Sequence, residues 1–498
     1  MSASGEPDTL DRALAARSRS GARLRGGEQR LVVLFGLALA GLLIVVSPAL
    51  LRDPDTYWHI AVGERIWTGG SVPWTDEFSH TFAGQPWIAK EWLSQLALFA
   101  AYAAAGWQGV VLLTVVAIAG SFALLLAILL RDLRWTAALS LTILAVILAA
   151  SHFLARPHAL AYLPVVVWTH GIIEAAERRE RPPWTLALVM TLWANLHGGF
   201  TIGFVWGALT GAEAVFASPR ERRRPVAYGW AAFLVLALLA ACVSPYGLHG
   251  FLVTVRLFGS GESLAYISEW QPLQLDVAGG TALAALVAAL AVLATRPREN
   301  AFRLLLVGLA GFMMLRHSRF VGLFGTTAAI AIAAPLARRF PALAAAGEDL
   351  PRWLDAQRQG RWRGLLAALS AAALATLVLR DPAPEARISP AAAVEAARRL
   401  DLTGPVYNSY DFGGYLIFRG IKTFVDGRSD QLFLDGFLDT LSRALADETG
   451  RPFLALLDKH SVRWAIVTPD SQAVARLASA PNWAKVYEDE SAIVYARR

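Results

Sequence analysis

Long apolar blocks alternate with short clusters of arginine along most of the chain. A helix needs about 20 apolar residues to cross the hydrocarbon core of a bilayer, and eleven blocks approach or reach that length. They are 31–51, 109–130, 135–154, 158–175, 184–199, 201–217, 228–244, 277–295, 302–315, 319–337 and 363–380. We therefore predict a polytopic α-helical membrane domain over residues 31–380, with about eleven spans.

The basic clusters predict how the chain is threaded, because arginine and lysine concentrate in cytoplasmic loops. We expect the cluster at 177–181 and the basic leader 1–30 to be cytoplasmic. Counting Glu91–Ala105 as a span would place the 177–181 cluster outside. These 15 residues would reach only about 22 Å as a helix, so we interpret them as an interfacial helix. The N-terminus is then cytoplasmic and the C-terminus external; a thirteen-span arrangement with additional partial helices is the alternative.

Composition excludes several other classes of protein. Of the 498 residues, 55% are hydrophobic and 17% are charged, against about 25% charged in a typical soluble domain. The net charge of +7 does not indicate a nucleic-acid partner, because the basic residues flank spans and meet lipid headgroups there. The single cysteine, Cys242, excludes an intrachain disulfide and a cysteine-rich metal site.

Polar side chains collect at one end of the predicted spans. With this threading, loop 52–91 and the C-terminal region are external, and seven of the nine histidines lie on or beside external ends. These are His59, His80, His152, His158, His197, His249 and His317. Polar residues at span ends are costly unless they line a wet cavity, so the pattern predicts a site that opens to the outside.

The start of loop 52–91 is typical of a helix N-terminus, with Pro54 in the first turn and Asp53 as the cap. An apolar stripe follows at every fourth position: Trp58, Val62 and Ile66. This spacing predicts an amphipathic helix on the membrane surface. Asp55 and His59 are also four residues apart, so both can face one cavity.

Residues 381–498 have the composition of a soluble domain, which we predict to be an external, periplasmic α/β domain. Short apolar segments between glycine-rich turns predict strands at PVYNS, YLIFRG and KTFVDG. Residues 435–447, FLALLDKHSV and SQAVARLA are typical of helices, RWAIVTP of a buried strand and KVYEDESAIVYAR of a hairpin.

These motifs resemble the GT-C glycosyltransferases, multispan enzymes that take a sugar from a polyprenyl-phosphate carrier. The resemblance is strongest to bacterial membrane proteins in which DPDTYWHI, WANLHGG, SPYG…EW and YNSYDFGGYL…DGRSD recur together. In the first external loop, the spacing from Asp55 to Asp76 resembles the paired acidic residues of the family. Lys90-Glu91 resembles the charged pair before the second span of the lipid A aminoarabinose transferase. One departure is that the loop Ala155–His158 lacks the second acidic motif of metal-dependent oligosaccharyltransferases.

The resemblance implies transfer of a sugar from a polyprenyl-phosphate donor to a cell-envelope acceptor at the periplasmic face of a bacterial inner membrane. Glycosyl transfer passes through an oxocarbenium-like state, for which a carboxylate is useful as a base or charge stabiliser. Asp55 is the first candidate for the base and Asp53 the second. His59 and Asp76 complete the predicted catalytic set.

The phosphate that leaves needs cations aimed at its oxygens. The predicted substrate-binding residues lie at the external ends of the spans and are Lys90, Glu91, Arg156, Asn195, His197, Glu269, Arg316, His317 and Arg319. We predict no dedicated metal site. Asp53 and Asp55 form a D-x-D motif, so binding of Mg²⁺ or Mn²⁺ there is the alternative. The spacing of the histidines does not indicate a zinc site.

Two other functions remain open at this stage. The external cavity of a transport or envelope-assembly protein could bind lipid without chemistry, and a degenerate GT-C relative could serve as a scaffold. Replacement of Asp55 separates these from an enzyme, since only the enzyme needs its carboxylate.

Overall fold

The computed structural model describes residues 24–257, 270–345, 359–433 and 436–498. The helices of the apolar part are α1 (Gly26–Val45), α2 (Ser47–Leu50), α3 (Asp55–Gly69), α4 (Trp92–Leu129), α5 (Trp135–Ala149), α6 (Pro157–Arg178), α7 (Leu186–Leu196), α8 (Phe200–Ala217), α9 (Arg220–Ala241), α10 (Gly247–Leu257), α11 (Val277–Ala294), α12 (Ala301–Arg316), α13 (Val321–Arg339) and α14 (Gln359–Arg380). Each of the eleven predicted blocks coincides with one of these helices.

Nine helices within the described ranges are long and apolar enough to cross a membrane. Two of the predicted spans, α7 and α12, have only 11 and 16 residues and are shorter than a full crossing. The chain is therefore a multi-pass α-helical membrane protein.

Helix α4 contains a break that separates the predicted interfacial segment from the span that follows it. Ala105 (φ −152°, ψ 29°) and Gly106 (φ 56°, ψ −143°) are not helical, and glycine adopts such a positive φ without the usual steric cost. The separation of Glu91–Ala105 from the block 109–130 is thus confirmed.

Helix α3 is enclosed by protein, so its apolar face does not pack on lipid as predicted. Ten of its 15 residues are buried. Trp58, Val62 and Ile66 pack in one hydrophobic cluster with Phe424 and Val425 of the C-terminal region. The spacing of apolar residues identified the apolar face of the helix. It could not show whether that face packs against protein or against lipid.

The C-terminal region carries the helices α15 (Ala391–Arg399), α16 (Gly413–Phe418), α17 (Phe437–Ala446), α18 (Arg451–Lys459) and α19 (Gln472–Ala478), and the strands β1 (Val406–Asn408), β2 (Trp464–Val467), β3 (Trp483–Glu488) and β4 (Ile493–Arg497). The sheet order is β1-β2-β4-β3. Strand β1 runs parallel to β2, and β4 runs antiparallel to both β2 and β3. The predicted β1, β2 and β3–β4 hairpin, and the predicted helices corresponding to α17, α18 and α19, are confirmed.

Two predicted strands of this region are wrong. YLIFRG lies largely in helix α16, and KTFVDG is irregular apart from one bridge between Thr423 and Ser79. Tertiary contacts explain the difference, because α16 packs against α3. The ring of Tyr415 lies edge-on to that of Tyr57, with their centroids 5.1 Å apart.

Candidate active site

A cavity of about 800 Å³ lies between the start of α3, the ends of several membrane helices and the C-terminal region. Its polar lining includes Asp53, Asp55, His59, Lys90, Glu91, Gln95, Arg156, His158, His197, Arg319, Tyr410, Asp411, Ser429 and Asp430. The fold thus gathers titratable groups from nearly the whole length of the chain around one space.

Asp53 and Asp55 share one guanidinium in this cavity. Arg156 Nη1 lies 3.0 Å from Asp53 Oδ2, and Arg156 Nη2 lies 2.9 Å from Asp55 Oδ2. Asp53 Oδ1 also accepts a hydrogen bond of 2.8 Å from the backbone N–H of Asp55, in the turn that leads into α3. Thr56 Oγ1 donates to the carbonyl oxygen of Ala155 (3.0 Å), which fixes the loop that carries Arg156.

The same contacts determine whether the carboxylates of Asp53 and Asp55 could bind a divalent cation. Mg²⁺ demands near-octahedral oxygen coordination, but here both carboxylates are turned toward a guanidinium. In the part of the chain that the structure describes, no group of three or more histidine, cysteine, aspartate or glutamate side chains is arranged to hold a metal ion. Asp53 and Asp55 therefore do not fit a preformed cation site.

His59 lies beside Asp55 in the cavity and is fully enclosed. The Gln95 amide Nε2 lies 3.4 Å from His59 Nδ1, and the Trp58 ring lies 3.7 Å from the imidazole, centroid to centroid. Burial, followed by the charge of Arg156, lowers the pKa of His59 well below its usual value, so the ring is neutral at pH 7. Trp58 Nε1 and Gln95 Oε1 are buried without a hydrogen-bond partner among the described residues, and both residues line the cavity.

A second set of charges lies at the start of α4. Lys90 Nζ forms an ion pair with the Asp430 carboxylate. Glu91 is partly buried, with 13% of its side chain exposed, and desolvation raises its pKa although Lys90 opposes the shift. Glu91 Oε1 lies 3.7 Å from His197 Nε2, and His197 Nδ1 accepts from the backbone N–H of Gly199 (3.0 Å). The predicted residues Lys90, Glu91 and His197 are therefore neighbours in the cavity.

Arg319 supplies a further cation to the cavity wall. Its guanidinium carbon lies 4.4 Å from the centroid of the Trp270 ring, a cation–π contact that orients the side chain. Arg316, three residues earlier, is exposed and does not line the cavity. His317 Nδ1 is 2.6 Å from the carbonyl oxygen of Trp270, and this residue also lies outside the lining. Of these three predicted residues, the turn at the end of α12 brings only Arg319 to the cavity wall.

The fold of this chain is similar to that of solved structures. No protein-family model and no curated protein matches the sequence. The apo crystal structure of the oligosaccharyltransferase from Archaeoglobus fulgidus superposes with a TM-score of 0.55 over 88% of this chain and 69% of that chain, at 13% identity.

The chain has the GT-C fold. Two structures of ArnT from Cupriavidus metallidurans, one apo and one bound to undecaprenyl phosphate, are also similar, with TM-scores of 0.47 and 14% identity over 93% of this chain and 97% of theirs. The match to the oligosaccharyltransferase confirms the fold expected from the sequence motifs.

Two predicted site residues, Asp76 and Asn195, lie outside the cavity lining. Asp76 is 2% exposed, lies outside the cavity lining and forms a buried ion pair with Arg428 (Oδ1–Nη1 2.5 Å). Asn195 Oδ1 accepts from Trp92 Nε1 (2.6 Å), and its amide nitrogen donates to the carbonyl oxygens of Thr191 and Val243. Neither contact could be inferred from sequence spacing. Glu269, the remaining predicted residue, lies outside the described residues.

The sequence prediction of the site did not include the cavity wall that the C-terminal region builds. Tyr410 Oη and Ser429 Oγ are 2.9 Å apart, and both line the cavity with Asp411 and Asp430. These residues belong to the motifs YNSYDFGGYL and DGRSD. The many polar residues in those motifs could have indicated a binding site, but polar residues that stabilise turns produce the same pattern.

Proposed function

We propose that this protein is a membrane glycosyltransferase that moves a sugar from a polyprenyl-phosphate donor to an envelope acceptor. The observation that carries the proposal is the position of Asp55 in the same cavity as Lys90 and Arg319. One carboxylate that can receive a proton and two cations that can face a phosphate are what this transfer requires. The cavity, about 800 Å³, is large enough for a sugar phosphate.

The proposed site belongs to a bacterial inner-membrane protein with a cytoplasmic N-terminus. The cavity and residues 381–498 would then face the periplasm, which follows from the arginine clusters between the apolar blocks. The polyprenyl chain would lie in the bilayer beside the spans and present its phosphate to the cavity.

In the proposed reaction, an acceptor hydroxyl or amine attacks the anomeric carbon of the donor sugar. The bond between that carbon and the phosphate oxygen breaks, and its electron pair leaves with the polyprenyl phosphate. Lys90 and Arg319 stabilise the charge on the departing phosphate. Asp55 receives the proton of the acceptor, while Arg156 holds the Asp55 carboxylate in place through its contact of 2.9 Å.

The test compares Asp55→Asn with Asp53→Asn in cells whose own copy of the gene is deleted. Mass spectrometry of envelope lipids and glycans identifies the glycan that disappears on deletion and returns with the wild-type gene. Its formation in isolated membranes then gives the rate. Asp55→Asn should reduce this rate by roughly 10²–10⁴-fold, as loss of a positioned general base does.

Asp53→Asn is the matched control, because Asp53 contacts the same arginine, while its other carboxylate oxygen accepts the backbone N–H of Asp55. Its asparagine can still accept the N–H of residue 55, so the rate should fall far less. If Asp55→Asn leaves the glycan profile intact, the enzyme proposal fails and a cavity that only binds lipid becomes the better explanation. If both variants are equally inactive, the two carboxylates act together and Asp55 is not the sole base.

A further inference from the structure

The backbone of the C-terminal region touches the Asp55 carboxylate at Gly427. A methyl group at Gly427 would overlap Asp55 Oδ1, would lie 2.7 Å from Asp55 Cγ, and would lie 3.0 Å from Trp58 Nε1. Gly427 does not have a positive φ. The backbone conformation therefore does not require glycine here, whereas the contact with Asp55 does.

The loop that carries Gly427 is held rigidly. Arg428 is fully buried, and its Nε and Nη2 each lie 2.8 Å from an oxygen of Asp426. Its Nη1 reaches Asp76 in the loop before α4. Gly427 thus lies between two residues that are locked in a buried ion-pair network.

A second glycine contact fixes the same end of α3. A methyl group at Gly414 would overlap the carbonyl oxygen of Pro54, the residue before Asp55. Two glycines of the C-terminal region therefore allow its backbone to pack directly against residues 54 and 55. On the other side, Arg156 holds the Asp55 carboxylate, so this side chain is enclosed from two directions.

We propose that Gly427 is a positioning residue for Asp55: its bare Cα and the guanidinium of Arg156 together fix the carboxylate toward the cavity. The proposal rests on the catalytic role proposed for Asp55. A carbon atom normally approaches another no closer than about 3.5 Å, so alanine at this position would push the carboxylate by roughly 1 Å. A displacement of that size can cost about 10²-fold in rate.

A double-mutant cycle tests this inference with the full-length protein in membranes. Gly427→Ala should lower kcat by about 10²-fold while the KM for the donor stays within about threefold. In an Asp55→Asn background, Gly427→Ala should have little further effect, because the group on which it acts has already lost its function. Gly308→Ala is the control, since a methyl group at Gly308 in α12 would meet no atom within 4 Å.

A stability cycle provides a readout that does not need activity. If Gly427→Ala lowers the Tm of the purified protein, Asp55→Ala in the same chain should restore most of that loss, since it removes the overlapping carboxylate. Unchanged kcat in Gly427→Ala, or losses that simply add in either cycle, would overturn the proposal. If instead Asp55→Asn is fully active, the proposed enzymatic function fails, and the stability cycle still decides whether Gly427 and Asp55 are coupled.

Discussion

Replacement of Arg428 by methionine should destabilise the C-terminal region severely. The Arg428, Asp76 and Asp426 side chains are 0% exposed in their ion pairs, and the guanidinium donates to both carboxylates. It also lies 5.0 Å from the centroid of the Trp87 ring. Removing one partner of a buried ion pair leaves uncompensated charge and costs about 3–5 kcal/mol. For a unit of roughly 120 residues this corresponds to a fall in Tm of about 10–20 °C.

The assay is thermal unfolding of the purified protein together with limited proteolysis of the C-terminal region. Arg443→Met is the matched control, because Arg443 pairs with Asp439 at the surface with its side chain 78% exposed, and such pairs contribute little. Adding Asp76→Asn and Asp426→Asn to Arg428→Met should recover part of the loss, since the stranded charges are then gone. If Arg428→Met melts like Arg443→Met, the buried ion pairs of Arg428 do not stabilise the C-terminal region.

Two further predictions concern the cavity. Because the pKa of His59 is lowered in the folded protein, the unfolded chain binds a proton first as pH falls below about 6.5, and the stability of the protein declines there. His59→Gln should therefore show a smaller drop in Tm between pH 7 and pH 5 than the wild type. An identical drop would contradict the lowered pKa of His59. Arg319→Gln should weaken binding of undecaprenyl phosphate by about tenfold, as loss of a charge-assisted contact does, whereas replacement of the exposed Arg316 by Gln should not. Titration of both variants with this lipid in nanodiscs measures the difference. Equal affinities would show that Arg319 does not bind the phosphate.

Local sequence patterns were sufficient to predict the membrane-embedded architecture and most of the C-terminal elements. Apolar length and arginine clusters are local properties, so all eleven blocks coincide with helices and the break before the second block falls at Ala105–Gly106. The spacing of Asp55 and His59 along one helix likewise placed both in one cavity. These features depend on residues close together in the chain, and the period of a helix is enough to relate them.

Which polar groups enter the cavity depends on long-range packing that sequence patterns do not reveal. Arg316 and Arg319 are equivalent as sequence, but the turn after α12 sends one outward and the other onto Trp270. Asp55 and Asp76 look alike as acidic residues of one loop, yet Arg428 lies 352 positions from Asp76 and buries it in an ion pair. The role of Gly427 could not be seen at all, because glycine is read from sequence as a turn residue. Gly427 and Asp55 are far apart in the chain, and contacts between such distant residues leave no periodic pattern in the sequence.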